Sequence, residues 1–194
     1  MKNLLTVIFV LILLLQGQGC STGIDNRDGT IESTEEDLFN EMEKKATIDI
    51  GNVTEFNVNE IKYFEQNHIF LAYTFVADNT SYEGSGYAVK SKNRYVIKRF
   101  EQTKRDTKSP ITKLQVIGDL DESLKRRYEI ISGTVNDPRI TTIIIRFSDL
   151  TNNIFSLTQT KRSYLTYSVS EKNHKLEQLI GLDKHDNEVF SQLW

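Results

Sequence analysis

The chain has one cysteine, two prolines, one tryptophan and three histidines in 194 residues. A single cysteine excludes an internal disulfide framework and a zinc site built on several thiolates. Two prolines leave room for long, uninterrupted strands. Neither sign of charge dominates. The 24 Lys and Arg against 27 Asp and Glu give a net charge of -3, too mild for a dedicated nucleic-acid binder. No apolar run reaches the ~20 residues that a membrane-spanning helix needs. What is present is a hydrophobic share of 38% and a charged share of 26%. That balance excludes wholesale disorder and a polytopic membrane protein. It suits one ordinary domain, or two small ones, with a real core.

The amino terminus carries an address. Lys2 supplies a short positive segment, and Leu4 to Leu15 (LLTVIFVLILLL) is a charge-free run of twelve residues. Its length fits the apolar region of a signal peptide. Gln16-Gly17-Gln18-Gly19 then leads to Cys20, the chain's one cysteine. A thiolate is the nucleophile that can take a lipid as a thioether. The arrangement resembles a bacterial lipoprotein signal peptide, with Gly19 and Cys20 at the last two positions of the lipobox. Gly17 and Gln18 stand where Leu and then Ala or Ser are usual. The resemblance implies cleavage after residue 19 and a diacylglyceryl group on Cys20. Two acyl chains give stable anchoring where one holds only marginally. Two other readings stay open: an ordinary secretory peptide, and an uncleaved short anchor. The Lys-, Asn- and Ile-rich composition suits a Gram-positive host, where the anchor would be the outer face of the cell membrane.

Residues 20–34 read as a flexible tether, because Ser21 to Thr34 (STGIDNRDGTIEST) is polar and has almost nothing to bury. Its Asp25 to Gly29 cluster lacks the ligand spacing of a calcium loop. Residues 35–109 read as a short amphipathic helix followed by an antiparallel β module. The helix is expected over Glu35 to Lys45. Ser33 or Thr34 caps it, and Glu36 or Asp37 completes a capping box. Leu38, Phe39, Met42 and Ala46 share one face. That face packs on the following sheet or, in the sharper reading, binds a partner.

Strand signals follow at Ile61 to Phe64, His68 to Ala77, Gly86 to Ser91 and Tyr95 to Gln102. Asp78 to Ser81 and Lys92-Asn93-Arg94 form turns between them. Thr103 to Ser109, closed by Pro110, reads as the boundary between two halves. Residues 110–194 then read as a sandwich-like module. Strands are expected at Ile111 to Ile117, Glu129 to Val135, Ile140 to Phe147, Ile154 to Thr160, Tyr164 to Ser170, Leu176 to Leu182 and Glu188 to Phe190. Asp119 to Arg127 is a helical turn or a loop. The expected fold class is mainly β: an antiparallel, Ig-like carboxy-terminal half and a β-rich amino-terminal half with one helix.

The run ISGTVNDPRITTIIIRF (Ile131 to Phe147), then YLTYSV and LIGLDKHDNEVF (Leu179 to Phe190), resembles the carboxy-terminal β-rich region of small lipoproteins and membrane proteins of Bacillus and its relatives. The shared features are a Gly-x-Val-x-Asp start, an Ile-rich strand and a final Leu-Asp-Lys-x-Asp-Asn hairpin. They cover about a third of the chain. The resemblance implies a β-rich fold and no particular activity.

Catalytic signatures are missing. Glu83-Gly84-Ser85-Gly86 lacks the spacing of a nucleophile elbow, and no Ser-x-x-Lys occurs. His68, His174 and His185 form no metal-binding pair. The Asp183 to Glu188 cluster fails the EF-hand pattern and reads as a hairpin tip. No cofactor is implied. Between Arg94 and Lys113 lies a basic stretch, of which Lys98, Arg99, Lys104, Arg105, Lys108 and Lys113 are the candidate contacts. Its functional reading is contact with anionic lipid head groups or an anionic envelope polymer. Its plain reading is a solvated edge that discourages strand pairing. Arg126, Arg127, Lys161 and Arg162 add basic residues elsewhere. The expected function is therefore a non-catalytic binding or accessory module, lipid-anchored on the extracytoplasmic face, with an envelope protein or polymer as partner and no nucleic acid. A hydrolase using carboxylates and a small-ligand carrier are the alternatives.

Overall fold

In a computed structural model, residues 33–121, 126–170 and 175–194 are described. The expected signal peptide, Cys20, the calcium-like cluster of the tether and His174 lie outside them. The fold is mainly β, with antiparallel sheets in a sandwich-like arrangement and one helix. Residues Glu32–Trp194 form one compact unit.

The helix α1 (Glu35–Ile50) begins at the capping box that the sequence proposes. The Thr34 side chain accepts from the Asp37 N–H at 3.2 Å, and the Asp37 carboxylate accepts from the Thr34 N–H at 2.7 Å. The helix outruns the expected end at Lys45 because Ala46 still faces the core. It stops at Gly51, whose φ of +130° only glycine adopts readily.

The first sheet is a four-stranded meander in the order β1 (Val53–Phe64), β2 (His68–Ala77), β3 (Thr80–Ser91) and β4 (Arg94–Lys104). Asp78 and Asn79, at φ 48° and 61°, make the two-residue turn between β2 and β3. The first eight residues of β1 escape a pattern reading. Two register breaks, with Glu55 at φ 55°, interrupt the alternation there.

The middle sheet has the order β5 (Leu114–Asp121), β6 (Arg126–Thr134) and β9 (Ser163–Ser170). The third has β11 (Glu188–Leu193), β10 (Leu176–Leu182), β7 (Thr142–Phe147) and β8 (Asn152–Ser156). The expected Ile111 strand shrinks to a single bridge, Ile111 with Val135, and β5 starts later. Both ends of the expected Asp119 to Arg127 turn are extended: β5 runs to Asp121 and β6 begins at Arg126.

Each strand's alternation assigns its side chains to one of three cores. Leu38, Met42 and Ala46 of α1 meet Ile69, Leu71, Tyr73 and Phe75 on the outer face of the first sheet. The inner face, with Phe70, Ala72 and Tyr87, meets Val116, Tyr128, Ile130 and Leu165 of the middle sheet. The far face of the middle sheet, with Ile131 and Tyr164, meets Ile143, Ile145 and Leu179 of the third. Strand β6 is therefore buried on both faces from Tyr128 through Thr134. The expected boundary Thr103 to Ser109 overlaps the end of β4 and opens the connection to β5, and residues before and after it share the second of these cores.

Candidate functional site

A cleft of about 720 Å³ lies between the first and middle sheets. Its base is aromatic. The rings of Tyr87 and Tyr128 are 4.6 Å apart, and Phe70 lies 5.3 Å from the first and 5.6 Å from the second. His68 stacks on Tyr87 at 5.9 Å, and its Nδ1 is 2.7 Å from the Tyr87 hydroxyl. Burial pushes the Tyr128 phenol up, with the charge of Arg99 opposing, so it remains a hydrogen-bond donor at neutral pH. Gly118 lets that phenol lie across β5: a Cβ there would sit 2.4 Å from the Tyr128 hydroxyl.

Basic side chains line the same cleft. Lys98 and Arg99 come from β4 and Arg127 from β6. Both β4 residues reach it because of a bulge. Tyr87 pairs with Arg99 and Ala88 with Ile97, so Lys98 is the extra residue and the alternation is broken. Asp119 is the one acid among the lining residues. Arg127 lies 3.5 Å from Asp119, and Arg99 lies 2.6 Å from Glu101. All four of these side chains are at least 40% exposed. Such exposed pairs are worth ~0–1 kcal/mol, so a better anion displaces them readily. The arrangement offers cations over stacked rings, which suits an anionic group.

The other residues of the basic stretch go elsewhere. Lys104 and Lys108 are exposed, Lys104 pairing with Tyr82 at the end of β4. Arg105 is partly buried and donates to the Asn136 side chain, while its Nε is buried without a partner. Lys113 lies 3.8 Å over the Trp194 ring, and burial lowers its pKa. The stretch is thus distributed among four environments. Of the basic residues outside it, Arg127 joins the cleft. Arg162 instead donates to the carbonyls of Val135, Asp137 and Ile140, and Lys161 pairs with Glu60 at 3.0 Å. The sequence reading missed His68, Tyr87 and Tyr128 as site residues. Each sits in a strand with no local sign of function.

The Asp183 cluster is a hairpin tip. Asp183 accepts from the Asn187 side-chain amide at 3.0 Å and from the backbone N–H groups of His185 and Asn187 at 2.8 and 3.0 Å, which together hold its carboxyl below the usual range. Among the described residues, no group of three or more His, Cys, Asp or Glu is placed to hold a metal. None of their helices is long and apolar enough to cross a membrane.

A carboxylate of a different kind lies in the seam between the first and middle sheets. Glu83 is 4% exposed. Its Oε2 accepts from Thr112 at 2.5 Å and Thr134 at 3.2 Å. Burial raises its pKa, against those hydrogen bonds and the charge of Arg105. The adjoining cavity is about 10 Å³, the size of about one water and no more. Compared with family models, with curated proteins and with solved structures, the chain finds no match.

Proposed function

We propose that this chain is a lipid-anchored, extracytoplasmic binding module, attached through Cys20, that holds an anionic group of an envelope polymer in the cleft between the first and middle sheets. The observation that carries the reading is Lys98, Arg99 and Arg127 set around Tyr87 and Tyr128 with Asp119 as the one lining acid. Lys98 has no ion-pair partner among the described residues, which leaves it for a ligand. The site is built for binding. The buried carboxylate with a raised pKa, Glu83, opens onto room for about one water rather than a substrate, which weighs against a hydrolase centred on it. The three packed cores weigh against a carrier with a ligand sealed inside.

The test is calorimetric titration of the full chain with inorganic polyphosphate at low and high salt. Saturable binding that weakens as salt rises is expected, because exposed charges are screened within ~10 Å at 0.1 M. Equal binding to neutral dextran, or none to polyphosphate at low salt, overturns the cleft. In cells, Cys20→Ala is expected to move the protein from the membrane fraction to the medium. Retention in the membrane fraction overturns the lipid anchor.

A further inference from the structure

A second cleft, of about 580 Å³, lies on the opposite face of the middle sheet, toward the third. Its volume falls within the ~300–1,000 Å³ of small-molecule sites. Trp194, the chain's single tryptophan, lines it and is 46% exposed, so the core does not use up its surface. The residue is held in place. Its backbone N–H donates to the Glu177 carbonyl at 3.0 Å, and the Lys113 ammonium lies 3.8 Å over the ring.

The uncharged and acidic polar groups that line the cleft include Ser148, Ser168, Gln115, Glu129 and Glu177, the Gln115 amide donating to the Glu129 carboxylate. In the first cleft three cations face one acid. Here, among the lining residues, Arg127 and Lys175 stand against Glu129 and Glu177, and the Lys113 ammonium is taken up by the indole face and the charge of Glu129. A charged ligand gains little from such a lining. An uncharged one with an apolar face and many hydroxyls gains from every part of it.

We propose that this cleft binds an uncharged saccharide, one sugar ring seated against Trp194. The positive hydrogens on the C–H face of a sugar suit the negative face of an aromatic ring. The sugar hydroxyls suit carboxylate acceptors, whose charge strengthens the hydrogen bonds. The site is independent of the anionic reading of the first cleft, although Ile117, Arg127 and Tyr128 line both.

Because Trp194 is the one tryptophan, its emission reports on this cleft alone. The full chain, in micelles of a sugar-free zwitterionic detergent, is titrated with the neutral oligosaccharides chitotetraose and maltotetraose. A saturable change in emission with at least one of them is expected. By calorimetry, Trp194→Ala and the cleft-filling Ser168→Phe are each expected to weaken that binding about tenfold or more. Unchanged circular dichroism confirms that both variants fold. The absence of any emission change or heat with either sugar up to roughly 10 mM overturns the proposal. So does binding that survives unchanged in both folded variants.

Discussion

Thr112 Oγ1 donates to Glu83 Oε2 at 2.5 Å, and this bond crosses from the β4–β5 connection to the middle of β3. The same hydroxyl oxygen accepts from the Thr134 N–H at 2.8 Å. One threonine therefore satisfies a buried acceptor on the first sheet and a buried donor on the middle one. Such satisfaction matters more than the net gain of a typical hydrogen bond, because each orphaned group keeps its desolvation penalty.

Thr112→Val keeps the shape and removes both bonds. The expected loss is about 1–3 kcal/mol for each group left unsatisfied. Urea unfolding with an unchanged denaturant slope is the check. A loss below about 0.5 kcal/mol would show that water replaces the hydroxyl.

Glu83 makes stability depend on pH. Its folded pKa lies above the ordinary 4.5, because burial outweighs the two threonine hydroxyls and Arg105. The folded state thus holds the proton more tightly than the unfolded one. The stability this contributes is complete below the ordinary value and is lost as pH rises through the folded value. Glu83→Gln removes that dependence. The stability difference between Gln and wild type is expected to move in favour of Gln as pH rises from about 4 to about 8. A parallel pair of stability curves over that range would contradict the raised pKa.

Gly133 sets how closely Thr112 approaches β6. A Cβ at this position would lie 2.0 Å from the Thr112 carbonyl oxygen and 2.8 Å from the Tyr164 hydroxyl. The Tyr164 hydroxyl itself donates to that carbonyl at 2.7 Å, so neither atom can give way without breaking the bond. Gly133→Ala is expected to lose about 3 kcal/mol or more, at the upper end of overpacking effects. Gly86→Ala serves as the comparison, because its added Cβ would meet nothing nearer than 3.4 Å.

In the basic cleft, the double variant Lys98→Ala and Arg99→Ala is expected to bind polyphosphate about tenfold more weakly, the worth of one charged hydrogen bond of ~1.5 kcal/mol. Both side chains are exposed, so stability is expected to stay within about 0.5 kcal/mol of wild type. Salt dependence should flatten with the loss of affinity. Unchanged affinity would place the polyanion elsewhere.

The sequence by itself determines the local elements. Thr34 and Asp37 announce the start of α1 because a capping box needs residues only three apart. Asp78 to Ser81 announces a turn because Asp and Asn tolerate positive φ, and the structure narrows it to Asp78-Asn79, with Thr80 and Ser81 already in β3. His68 to Ala77 and Leu176 to Leu182 read as strands with their observed bounds, since β-branched and aromatic residues crowd together there. What only the tertiary structure decided is which strand faces which. Strand β6 is buried on both sides because it lies in a middle layer, a fact its nine residues do not carry. Lys98 enters the cleft through a bulge that breaks the alternation, and Arg127 meets it there from another sheet. Glu83 becomes a buried carboxylate only when Thr112 and Thr134 close over it from the far side of a sheet interface. Capping and turns rest on bonds between near neighbours, so the sequence displays them. Clefts and buried charges rest on the packing of sheets whose order no short stretch of sequence encodes.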